Sequence, residues 1–170
     1  DKFPLPPHYN KIYSLLHHME NPDTKGDWFI WMDGDQWFLN FESVENLINI
    51  PIGISVAMFT KSDSMYFIRN DEFGRHFLRH WANLVEGKVT ICEHRFGIYE
   101  YHDLFWMWVT TWNILDEIYH QESTINCSIL KPLNLQWPTP IHLLQKAGHA
   151  TKYGKHVILD KFMFLHDSIW

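Results

Sequence analysis

The stretch "GDWFIWMDGDQWFLN", residues 26–40, constrains the fold more than any other. From Trp28 to Met32 it is an unbroken apolar run with no polar alternation, the pattern of a buried strand. The run stops at two carboxylates one residue apart, Asp33 and Asp35, and a second apolar run follows at once. A chain with this feature places two negative charges at the mouth of its most hydrophobic strand.

The rest of the sequence supplies a core for such a strand. Of its 170 residues, 46% are hydrophobic and 16% aromatic, with nine Trp, which excludes a disordered chain and allows one domain with a dense interior. The net charge of −6 gives no basic footprint, so nucleic acid is not an expected partner. No apolar run reaches the ~18 residues of a membrane span. Cys92 and Cys127 form no C-x-x-C pair; they are either one disulfide or two buried thiols. Asn126-Cys127-Ser128 fits the N-glycosylation pattern, with an unmodified loop as the alternative.

Residues 1–7 read as an extended, proline-rich arm and 8–20 as a short helix with Ile12, Leu15, Leu16 and Met19 on one face. Strands are expected at 27–32, 53–60 and 64–70. A short helix opened by Ser43 is expected at 43–48. Asp71 is the expected N-cap of a helix reaching about Val85, with Phe73, Phe77, Trp81 and Leu84 facing the core. "YHDLFWMWVTTWNILDEIYHQ", 101–121, reads as a long buried helix, in which Trp106, Trp108 and Trp112 are core side chains or a sugar-stacking surface. "HVILDKFMFLH", 156–166, reads as a final strand. Strands alternating with helices predict an α/β layer with a mostly parallel sheet, whose ligands sit at the carboxyl ends of its strands. Asp33 and Asp35 fall at such an end.

Two carboxylates this close repel one another unless a cation lies between them, and hard oxygen donors suit a divalent ion such as magnesium, manganese or calcium. Gly34 lets the turn between them take conformations closed to other residues. An ion held there would offer open positions to the oxygens of a diphosphate. The bland alternative is a strand-end turn with two solvated aspartates. His76 and His80, spaced i and i+4, lack an H-E-x-x-H context and stand beside Arg75 and Arg79, so ordinary surface histidines are expected there.

An apolar strand, D-x-D and a second apolar run resemble nucleotide-sugar glycosyltransferases of the GT-A fold. "SMYFIRNDEFGRHFLRHWAN", 64–83, is similar to the segment of the galactosyl/mannosyl/xylosyl transferase families that runs from small residues through an apolar strand and [RK]-N into a helix with F-L-x-x-W. It also resembles related uncharacterised eukaryotic glycosyltransferase-like domains. Asp103 stands where those families open a buried helix with Asp, and "DKFMFLHD" closes an apolar strand on His166. The resemblance covers roughly residues 25–170, read as one domain. It departs from the pattern at Ser62-Asp63-Ser64 and at Leu104, and only 32 residues precede Asp33, so part of the N-terminal nucleotide-binding half is expected to be missing.

What the resemblance implies is a metal-dependent transfer of a hexose or pentose from a nucleotide-sugar to the hydroxyl of a glycan or glycoprotein acceptor. It implies Mn2+ or Mg2+ held by Asp33, Asp35 and His166, the nucleotide-sugar bound through Asp33 and Asp35, and Asp103 beside the acceptor or the reacting sugar. The Golgi lumen is the implied location. A truncated or non-catalytic relative that binds sugar or metal is the alternative from another class. A haloacid-dehalogenase-type phosphatase would also place D-x-D after an apolar strand, but it wants a small hydroxyl residue where this chain has Trp37.

Overall fold

The computed structural model describes residues 7–36, 43, 49–59, 64–86, 107, 110, 111, 114, 151–153 and 156–165. A 3-10 turn, Pro7–Tyr9, leads into helix α1, Asn10–Glu20. Strands β1 (Trp28–Met32), β2 (Val56–Phe59) and β3 (Met65–Arg69) follow, then helix α2 (Glu72–Val85). Strands β4 (Thr151–Tyr153), β5 (His156–Leu159) and β6 (Phe162–Leu165) complete a six-stranded sheet in the order β1-β3-β2-β6-β5-β4.

The sheet is mixed, and the expected mostly parallel arrangement is corrected: among the described strands β2 and β6 alone pair in parallel, and the other four pairs are antiparallel. Connection length is the reason. Residues 60–64 are too few for the crossover of a dozen or more residues that a parallel pair needs, so β3 must fold back on β2. The expected single strand at 156–166 is likewise a hairpin. Its turn falls at Asp160, in the left-handed region at φ 49, and Lys161, and it sets Leu159 against Phe162. At the start of β2, Gly53 takes φ 99 in the turn that Ile54 N–H closes on the Pro51 carbonyl, at the position where such a turn favours glycine.

The central strands are buried on both faces, which explains their unalternating sequences. On one face Ala57, Phe59, Met65, Phe67, Met163 and Leu165 form a core with Ile54, and Trp28, Ile50 and Ile158 pack against it. On the other face α2 lies across the sheet. Phe73 and Phe77 meet Phe162 edge-on at 5.3 and 5.8 Å, and Trp81 meets Tyr66 at 5.7 Å. Met107, Thr110, Thr111 and Ile114 are helical and buried, as the reading of 101–121 expects, and Thr111 approaches Met58 Sδ at 3.9 Å. The side chains of Trp106, Trp108 and Trp112 lie outside the described residues, as do Cys92, Cys127, Asn126 and residues 44–48. No described helix is long and apolar enough to cross a membrane.

Asp71 caps α2 as its position predicts. Its Oδ1 accepts from Gly74 N–H at 2.8 Å, and Oδ2 accepts from the buried Ser55 hydroxyl at 2.7 Å, tying the helix start to β2. Helix α1 turns Ile12, Leu15 and Met19 inward and is fastened to α2 at both ends. There Tyr13 donates to Glu86 at 2.7 Å, and Arg79 donates to Glu20 through Nε and Nη2.

Burial first, then the hydrogen bond to Glu86 and the negative charge of its carboxylate, push the Tyr13 phenol up from its ordinary value. The fold therefore favours the neutral phenol. That stabilisation is complete below the unfolded-state pKa of about 10 and is lost as pH rises through the higher folded-state value. Tyr13→Phe should be less stable than the parent near neutral pH, with the difference narrowing above about pH 10. Thermal midpoints of the two proteins, measured across that range, check this. A difference that widens with pH would place the phenol in an environment favouring its anion.

Candidate functional site

Strands β1, β2 and β6 run in one direction, because β3 is antiparallel to both β1 and β2 and β2 is parallel to β6. Their carboxyl ends, Met32, Phe59 and Leu165, therefore share one edge of the sheet. Asp33 continues the β1–β3 ladder beyond that edge, its N–H donating to the Ser64 carbonyl at 2.9 Å. Gln36 N–H then donates to the Asp33 carbonyl at 3.1 Å and closes the turn Asp33-Gly34-Asp35-Gln36. The aspartates stand at the carboxyl end of a strand, as their sequence context predicts.

The two are not equivalent. Asp33 is half-buried, and its Oδ1 accepts from the Trp31 indole N–H at 2.7 Å. Asp35 is exposed at the tip of the turn, and among the described residues its Oδ1 meets only the long contact from Gln36 Nε2 at 3.5 Å. Residues 31 and 33 project to the same side of a strand, which is why the indole can reach the carboxylate. The i, i+2 spacing of Trp and Asp is legible in the sequence, yet without the structure it is only two neighbours on an apolar stretch.

An all-oxygen donor pair at a partly open strand end suits a hard divalent cation, which commonly binds through one or two carboxylates and completes its shell with water and phosphate oxygens. Among the described residues no group of three or more His, Cys, Asp or Glu side chains is placed to hold a metal. Any site built here thus begins from two protein ligands. Asp103 and His166 lie outside the described residues. Strand β6, which ends at Leu165, is separated from β1 by β3 and β2, three inter-strand spacings or roughly 14 Å. His76 and His80 stand with ring centroids 6.0 Å apart on α2, and among the described residues they belong to no group of three or more potential metal ligands.

No protein-family model matches the chain, and no curated protein and no solved structure matches it significantly.

Proposed function

We propose that this chain is a GT-A-like domain that binds a nucleotide-sugar through a divalent cation, Mn2+ or Mg2+, and transfers the sugar to an acceptor hydroxyl. The observation that carries the reading is the D-x-D pair, one carboxylate fixed and one free to close, at the carboxyl end of a strand in a mixed sheet backed by α2. A bound cation would neutralise charge gathering on the departing diphosphate. Asp33 and Asp35 would hold it. In this reading His166 is a third ligand. Asp103 would stand beside the acceptor or the reacting sugar. Retention of the D-x-D pair together with His166 favours the donor-binding reading over a non-catalytic descendant, and the Golgi lumen is the proposed location.

Asp35→Ala tests this reading with little interference from folding, because an exposed turn carboxylate contributes almost nothing to the core. The expected result is loss of manganese-dependent nucleotide binding with a thermal midpoint close to that of the parent. Cooperative unfolding of the variant at ordinary temperature would make Asp35 a structural residue and overturn its assignment as a ligand.

A further inference from the structure

We infer that Trp31 is a positioning residue for the cation site, its indole N–H committing Asp33 Oδ1 and thereby leaving Oδ2 to meet the ion. The inference rests on the cation-binding reading of Asp33 and Asp35. Asp33 is held at three points: its N–H by Ser64, its carbonyl by Gln36 N–H, and its Oδ1 by Trp31. Trp31 is itself anchored, because it is half-buried and stands opposite the fully buried Tyr66 in the β1–β3 register. The indole therefore transmits the position of the core to the carboxylate. Asp35 has no comparable restraint among the described residues.

Hydrogen bonds to an ionised carboxylate are short and strong, and this one, at 2.7 Å, has that character. Groups that orient a metal ligand in this way typically change metal affinity by about 10- to 100-fold when removed. Asp33 thus sets where the ion sits, and Asp35 folds onto it. A role confined to satisfying the indole N–H would leave metal affinity indifferent to the loss of that donor.

Manganese alone, titrated into the full chain, tests the inference through the indole N–H resonances, which a nearby paramagnetic ion broadens. In the parent protein the Trp31 signal, identified by its absence from Trp31→Phe, should disappear as Mn2+ binds. In Trp31→Phe the affinity for Mn2+, read from water-proton relaxation, should fall about tenfold or more while the thermal midpoint stays close to the parent's. Benzothienylalanine at position 31, which keeps the ring shape and replaces N–H with sulfur, should reproduce that loss even if the phenylalanine variant folds poorly. Asp33→Asn keeps an acceptor for the indole but loses the charge, so the Trp31 resonance should persist and no longer respond to Mn2+. Unchanged affinity in both position-31 variants, with the parent binding Mn2+, would overturn the positioning role and leave the cation site standing. A parent protein whose Trp31 resonance ignores Mn2+ would overturn both.

Discussion

Gly74→Ala should destabilise the protein by about 3 kcal/mol or more, although alanine for glycine inside a helix ordinarily gains up to about 1 kcal/mol. The sign is decided by space. Gly74 is buried in the first turn of α2, where it lies close against the end of β3. A Cβ at this position would collide with the Arg69 carbonyl oxygen and stand 2.9 Å from Ile68 Cγ2. Rotating a side chain cannot relieve contact with a backbone oxygen, so the helix would have to lift from the sheet. Lifting it would also strain the Asp71 cap and its bond to Ser55, and would open the contacts of Phe73 and Phe77 with Phe162. The denaturant midpoint of the variant measures the effect. Neutral or raised stability would mean that α2 does not approach β3 so closely.

Trp81→Ala should cost about 3–5 kcal/mol, the range for emptying the site of a large buried aromatic. Trp81 has no exposed surface, and its ring lies against Tyr66 and Phe77 with centroids 5.7 and 6.0 Å away. Its Nε1 is buried and has no hydrogen-bond partner among the described residues, so the indole is held by packing at the expense of an unsatisfied donor. Trp81→Phe discards that donor and leaves a smaller void, and it should lose distinctly less than the alanine variant. Equilibrium unfolding of both variants gives the comparison. A near-neutral alanine variant would show that α2 presents a different face to the sheet.

Much of this fold is written in the chain. The apolar runs at Trp28–Met32 and Met65–Arg69 become strands, and Asp71 begins a helix whose Phe77, Trp81 and Leu84 are buried. Strand direction is not legible in these runs: β3 is buried as its apolar run predicts, but β1 is an edge strand, half-buried with Ile30 exposed, and neither run says anything about its neighbour's orientation. Loop length carries that information: the short link from Phe59 to Met65 and the turn at Asp160 and Lys161 both force antiparallel pairs. In "HVILDKFMFLH" the apolar residues on either side outweigh two charged ones, which hides the turn. At the candidate site, the position of Asp33 at a strand's carboxyl end follows from the abrupt change from Met32 to carboxylate. Its difference from Asp35 does not. That difference comes from the depth of each residue beyond the ladder and from an indole on the same side of β1.

The proposed function requires that Asp33 and Asp35 hold a cation that in turn holds a nucleoside diphosphate. Calorimetric titration of the folded chain with UDP and with GDP, each with and without manganese, tests it most directly. The predicted result is binding of at least one nucleotide that appears only when manganese is present and disappears in Asp35→Ala. Absence of binding to both nucleotides with manganese present, or binding indifferent to the metal, would contradict it.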